Sequence, residues 1–325
     1  MAWPRKDCRP LFDRGLNGLR WRITHYRWRL GNLFFKNLFR VWQCLGFHIT
    51  RNHYYEPVPD TRLLPDWLWQ RQSELVGIEI NETSQLQMLS EFVASFKDEY
   101  DSFPLTLDQR TKPYEYCVNC GSFESVDGEV LYCMIRHFKP RRIFEIGSGN
   151  STYLSAQALL KNNEVPRHEA TLVAYEPYPS DVLRRGFPGL SKLVPASVQH
   201  VPLSEFQQLE ENDILFIDSS HVLRIGNDVQ FEYLELLPRL NKGVLVHVHD
   251  IFLPVEYPQD RVLKDYCFWT EQYLLQAFLT FNQSFEVLWA GHYMHLRHPD
   301  KLTAAFRSYN RSRTRPGSFW MRRIR

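Results

Sequence analysis

Two acidic–histidine groups stand at the ends of apolar runs: Phe216-Ile217-Asp218-Ser219-Ser220-His221 and Val246-His247-Val248-His249-Asp250. Carboxylates suit magnesium or manganese, and imidazole adds affinity for iron or zinc. A metal held there would bind a substrate hydroxyl and lower its pKa, giving an oxygen nucleophile at neutral pH. Asp218, His249 and Asp250 are the candidate metal ligands. Asp218 and His221 are the candidate catalytic pair, with His221 as general base because the unperturbed histidine pKa is about 6.5. Metal-free transfer with His221 or His249 as base is the alternative use of the same groups. In the plainest reading His249 and Asp250 only satisfy local loops. Alternation along the run puts His247 on the side of His249, as a buried, hydrogen-bonded histidine.

A second pattern precedes these groups. Arg142-Ile143-Phe144-Glu145-Ile146-Gly147-Ser148-Gly149-Asn150-Ser151-Thr152 reads as a strand, a tight glycine turn and a helix start. Glycine serves where the chain turns sharply and a ligand approaches its backbone. The next strand candidate ends in Tyr175-Glu176-Pro177, which places a carboxylate where it can accept the ribose hydroxyls of an adenosine-containing ligand. A dinucleotide fingerprint asks for a third glycine where this chain has Thr152, and leaves Glu145 unexplained. That residue fits a ligand with a positively charged amino-acid end.

The elements that must position these groups begin near residue 122, where strands alternate with helices. A helix opens at Ser125-Val126-Asp127-Gly128-Glu129, its acidic residues either capping it or touching a cofactor. Strands are expected at 142–147, 171–176, 197–202, 213–218 and 244–249. Helices are expected at 152–161, 179–186, 204–209 and 227–238. The alternation calls for a parallel sheet covered on both faces. A helix at 265–282 and apolar segments 285–290 and 292–296 would form its antiparallel end. Ligands of such sheets sit beyond the carboxyl ends of the strands, where the strand order switches. Both acidic–histidine groups end there.

With these motifs the chain resembles the class I S-adenosylmethionine (SAM)-dependent methyltransferases, whose first motif is an acidic residue followed by Gly-x-Gly. The resemblance covers residues 122–300. It implies a doubly wound, mostly parallel, seven-stranded Rossmann-like α/β sheet. It also implies a SAM site made by Glu145, Gly147, Gly149, Ser151 and Glu176. Asp-x-x-His after one strand and an acidic pair after the next are similar to the metal-dependent O-methyltransferases of antibiotic and sugar tailoring pathways. That match carries metal binding to Asp218 and Asp250 and the base role to His221. The chain departs from the patterns at Ser151, where many members have glycine, and at His249, where the acidic pair has a carboxylate.

Charge is concentrated at the ends. The formal net charge is +2, yet no acidic residue lies between Arg14 and Tyr55, and none follows Asp300. The termini are therefore expected to meet an anionic partner or a membrane surface, or to form solvated basic faces. Nucleic acid is disfavoured because no recognition motif accompanies the charge. Six cysteines are too few for a disulfide scaffold at this length. Without a secretory leader or a long apolar run, a cytoplasmic chain with reduced thiols is expected, with Cys117 and Cys120 structural.

The expected organisation is a basic, aromatic helical extension and linker (1–70), a helical cap (71–121), the methyltransferase domain (122–300) and a basic tail (301–325). Between Arg14 and Phe47, large apolar residues recur at helical spacing. Residues 82–96 form an amphipathic helix with Leu86, Leu89, Phe92, Val93 and Phe96 on one face. The expected activity is O-methylation of a small-molecule or sugar-like hydroxyl, using SAM with or without magnesium, manganese or iron. Homo-oligomerisation is compatible with this. An iron-dependent oxygenase on the same fold, using His221, His249 and an aspartate, is one rival. A non-catalytic binding or assembly protein is the other.

Overall fold

A computed structural model describes residues 38–50, 52–164 and 169–325. The chain divides into two compact units, Met1–Pro65 and Asp66–Arg325. In the first, a helix runs through residues 38–44, and Asp60 caps a 3-10 turn at Thr61–Leu63 by accepting the Arg62 N–H. Most of the basic helical segment expected before Phe47 lies outside the described residues. Among the described residues no helix is long and apolar enough to cross a membrane.

The second unit is built on one seven-stranded sheet. Its strands are β1 (Arg142–Ile146), β2 (Thr171–Tyr175), β3 (Lys192–Val194), β4 (Ile214–Ile217), β5 (Leu245–Val248), β6 (Phe285–Ala290) and β7 (Phe319–Arg323). The spatial order is β3-β2-β1-β4-β5-β7-β6. The first five are parallel, and β7 runs antiparallel between β5 and β6. The order reverses between β1 and β4, so a cleft opens beyond their carboxyl ends.

Side-chain alternation sends each strand into two separate cores. Ile143, Leu172, Phe216 and Leu245 join one face, which packs against the helices α2 (Asp127–Phe138) and α3 (Asn150–Asn163). Phe144, Val173, Leu215, Val246 and Met321 join the other, under the helical segment 228–239 and the helix Glu271–Leu279. Helix α1 (Glu82–Tyr100) lies on the first face and buries Gln85, Leu89, Phe92 and Tyr100. Leu86, Val93 and Phe96 are partly buried there.

Several boundaries differ from the sequence expectation. The third strand is Lys192–Val194, not 197–202. Pro195 ends it, and residues 198–200 make a 3-10 turn before Pro202 opens the next helix. Residues 292–296 are not a strand, because the chain turns at Gly291 into the helix Gly291–Arg297. The antiparallel partner of β5 comes instead from 319–323, so residues 301–325 are no detached tail. The helix expected at 265–282 is confined to Glu271–Leu279, because the His221 carbonyl captures the N–H groups of Thr270 and Glu271. Cys117 and Cys120, with Cα atoms 6.0 Å apart, form a disulfide, so the reduced-thiol expectation does not hold for that pair. Cys44, Cys133 and Cys267 are free.

Candidate active site

The loop after β1 is fixed from three sides. Gly147 N–H donates to the Tyr175 carbonyl, and Asp218 N–H donates to the Ile146 carbonyl. Gly147 has φ +80°, and a Cβ there would lie 1.9 Å from the Asp218 carbonyl oxygen. Only glycine lets the ends of β1 and β4 come this close. A Cβ on Gly149 would meet nothing within 4 Å, so the backbone there faces open space. Glu145 is fully buried beneath the loop and accepts hydrogen bonds from Ser151 Oγ at 2.6 Å and Thr152 Oγ1 at 3.0 Å. Its other oxygen has no partner, and burial pushes its pKa up to about 8. Glu176 accepts the N–H groups of Ser148 and Tyr178, at 3.2 and 2.7 Å.

Beyond β4 and β5 the acidic–histidine groups converge. One ligand atom from each of Asp218, His221 and Asp250 lies within 4.8 Å of the others. His221 Nε2 stands 3.2 Å from Asp218 Oδ1 and 3.5 Å from Asp250 Oδ2. His249 approaches the same carboxylates through Nδ1, at 3.4 and 3.8 Å. Both His221 and Asp250 adopt left-handed backbone conformations, with φ of 59° and 55°. Each such non-glycine residue costs about 1–3 kcal/mol, a strain that concentrates at functional sites.

The far side of each ring is also held. His221 Nδ1 lies 2.8 Å from Glu271 Oε2, and Glu271 Oε1 accepts the Tyr233 hydroxyl. His249 Nε2 lies 3.5 Å from Asp127 Oδ2. Asp127 accepts the N–H groups of Gly317 and Ser318, which ties α2 to the start of β7. Burial alone favours neutral rings, but Asp218 with Glu271 raises His221 well above the ordinary histidine range. Asp218, Asp250 and Asp127 do the same for His249. Burial would raise the Asp218 pKa, yet the two imidazoles hold that carboxyl well below its usual range. His247, by contrast, is buried against Phe216, bonds only Ser318 Oγ, and is pushed toward the neutral form.

These groups line one cleft of about 1140 Å³, whose walls include Ser148, Gly149, Ser151, Asp218, His249 and Asp250. A smaller cleft of about 310 Å³ shares Ser148 and Gly149 and is lined by Glu176 and Tyr178. The glycine loop is thus the floor between a carboxylate site and an acidic–histidine site.

A family profile described as a methyltransferase domain matches residues 144–251, the span from the glycine loop to the acidic–histidine groups. An uncharacterized protein of Archaeoglobus fulgidus is 36% identical over 169 residues, covering 50% of this chain and 74% of that protein. The chain carries a methyltransferase domain over residues 144–251. Two solved methyltransferases overlay this methyltransferase at 15% identity and a TM-score of 0.38 each. One, from Podospora anserina with bound SAH, covers 74% of this chain and is itself covered over 88%. The other, the plantazolicin methyltransferase with SAH and a triazolic desmethylPZN analog, covers 75% and is covered over 97%.

In this methyltransferase the expected site residues do not all stand in the same place. Gly149, Ser151, Asp218, His249 and Asp250 line the larger cleft, and Glu176 the smaller. Glu145 lines neither and reaches the loop through Ser151 and Thr152. His221 lies behind Asp218, 8% exposed, with Nε2 toward both aspartates. Sequence reasoning missed Glu271 as the partner of His221, and missed the orientation of His249 by Asp127. It also placed the 308–315 segment in a tail, although Ser308, Asn310, Arg313 and Arg315 wall the larger cleft. Asp127, expected either to cap its helix or to touch a cofactor, carried the one signal that was available.

Proposed function

We propose that the protein transfers the methyl group of SAM to a hydroxyl oxygen of a small-molecule or sugar-like acceptor. The observation that carries this reading is the convergence of Asp218, His221 and Asp250 within 4.8 Å, with both aspartates lining the cleft floored by the glycine loop and His221 behind them. The residues present fit SAM: Gly149 leaves its backbone open, and Glu176 faces the smaller cleft. Glu176 would hold the ribose, and Gly147 through Ser151 would border the amino-acid end. SAM supplies an electrophilic methyl on a positively charged sulfur, and that charge lowers the proton affinity of a nearby imidazole.

The acceptor hydroxyl would sit between Asp218 and Asp250. Nε2 of His221 faces both carboxylates, and Asp218 with Glu271 keeps the ring protonated in the free protein. Once the Nε2 proton has passed to solvent, Nε2 is the atom that would take the hydroxyl proton, while Nδ1 stays fixed on Glu271. His249, braced by Asp127, offsets the repulsion between the two aspartates with its positive charge. Holding nucleophile and methyl in line supplies much of the rate in such transfers. Two carboxylates and one imidazole also fit a divalent cation. Asp218, Asp250 and His221 would hold it, with His249 beside them, and it would lower the pKa of the acceptor hydroxyl.

Incubation with methyl-labelled SAM and a panel of hydroxylated sugars, with and without magnesium or manganese, tests the assignment. O-methylated product from the natural chain, and its loss in Asp218→Asn, is the expected result. Product formed at an unchanged rate by Asp218→Asn and Asp250→Asn would overturn it.

A further inference from the structure

The loop that leads into β7 carries three arginines on alternate positions, and they divide between two adjoining grooves. Arg313 lines the cleft of the acidic–histidine cluster. Arg311 lines a neighbouring groove of about 740 Å³, and Arg315 lines both. Arg315 Nη1 bonds both carboxylate oxygens of Asp260, at 2.7 and 2.8 Å, at the junction of the two grooves. Arg311 and Arg313 are exposed, and among the described residues neither pairs with a carboxylate. A further guanidinium, that of Arg261, stands 5.9 Å from the Trp269 ring, which in turn lies 4.9 Å from the ring of His221. Arg261 pairs with Asp265 at 3.5 Å and Arg315 with Asp260, so among the described residues Arg311 and Arg313 are the guanidiniums of this rim without a carboxylate partner, while the inner end of the cleft is acidic and histidine-rich.

Free guanidiniums in a concave wall add little to the fold, but they match the oxyanion geometry of phosphate and carboxylate. We propose that the 311–315 loop is an anion-binding rim, and that the acceptor carries a phosphate or carboxylate group beside the hydroxyl that is methylated. This inference rests on the methyltransferase reading and names the substrate class of the same site. It also gives the basic C-terminal sequence a role at the cleft.

The test is calorimetric titration of the full chain, saturated with S-adenosylhomocysteine, with glucose 6-phosphate, glucuronate and glucose at low salt. At least one anionic sugar is expected to bind about tenfold or more tightly than glucose. The double variant Arg311→Ala/Arg313→Ala should remove that difference and leave S-adenosylhomocysteine affinity unchanged. Preference for the phosphate assigns a phosphorylated acceptor, and preference for glucuronate a carboxylated one. Equal binding of all three sugars, no binding of either anion, or no effect of the double variant overturns the proposal. Absence of S-adenosylhomocysteine binding would instead count against the methyltransferase reading, and the sugar titrations, run without it, still decide the rim.

Discussion

Glu271 holds His221 twice: its carboxylate lies 2.8 Å from Nδ1, and its backbone N–H donates to the His221 carbonyl at 3.1 Å. The helix Glu271–Leu279 therefore starts where the loop after β4 needs support, and the ring can present only Nε2 to Asp218 and Asp250. Glu271→Gln keeps the shape but weakens the hold on the ring. We expect kcat to fall about 10- to 100-fold, as for other partners that orient a functional histidine. The dissociation constant for SAM should stay unchanged, and Glu271→Asp should recover part of kcat. A parallel loss of SAM affinity would make the role structural.

Asp218→Asn and Asp250→Asn remove the carboxylates proposed to face the acceptor. Each should lower the rate about 10²- to 10⁴-fold, the range for loss of positioned acid–base chemistry. SAM affinity, measured by calorimetry, should change little. If a divalent metal is held here, both variants should also lose the stimulation of activity by manganese.

The two glycines of the loop should respond differently to alanine. At Gly147 the added Cβ meets the Asp218 carbonyl oxygen at 1.9 Å, so the ends of β1 and β4 must separate. Gly147→Ala should lower the melting temperature and abolish SAM binding together. At Gly149 the Cβ meets nothing within 4 Å, so the free protein should be as stable as the natural chain. Gly149→Ala should weaken SAM binding alone, because the methyl group enters the cleft.

Glu129 is buried at 2% exposure, bonded to Ser308 and with one oxygen unpartnered, and burial pushes its pKa up to about 7. The folded state thus binds its proton more tightly than the unfolded chain. Its contribution to stability is full below the unfolded pKa of about 4.5 and declines as pH rises through about 7. Glu129→Gln should remove this decline, a gain of up to about 3 kcal/mol at pH 8 relative to pH 4. Thermal denaturation across that range checks it. A decline of the same size in the variant would show that other groups cause it.

The sheet and its switch point were legible because the four central strands are largely apolar, interrupted at Glu145 in β1 and His247 in β5, and end in recognisable punctuation. Gly147, Glu176-Pro177, Asp218 and His249-Asp250 mark the carboxyl ends of β1, β2, β4 and β5. Strand β7 was hidden because Phe319-Trp320-Met321 is short and is followed by Arg322 and Arg323. Those arginines read as tail, yet their guanidiniums lie 4.9 Å and 5.0 Å from the centres of the Phe138 and Phe285 rings. Stacking on rings lets charged residues end a buried strand. Asp218, His221, His249 and Asp250 could be named from their places after β4 and β5. The braces behind them could not, because Asp127 and Glu271 reach the cluster through contacts between distant segments.

Whether the protein binds SAM through Glu176 is decided by calorimetric titration with SAM, comparing the natural chain with Glu176→Ala. Micromolar binding is expected for the natural chain, whose Glu176 carboxylate accepts the Ser148 and Tyr178 N–H groups beside the smaller cleft, and its loss in the variant. No binding to the natural chain, with or without magnesium, manganese or iron(II), would contradict the methyltransferase reading.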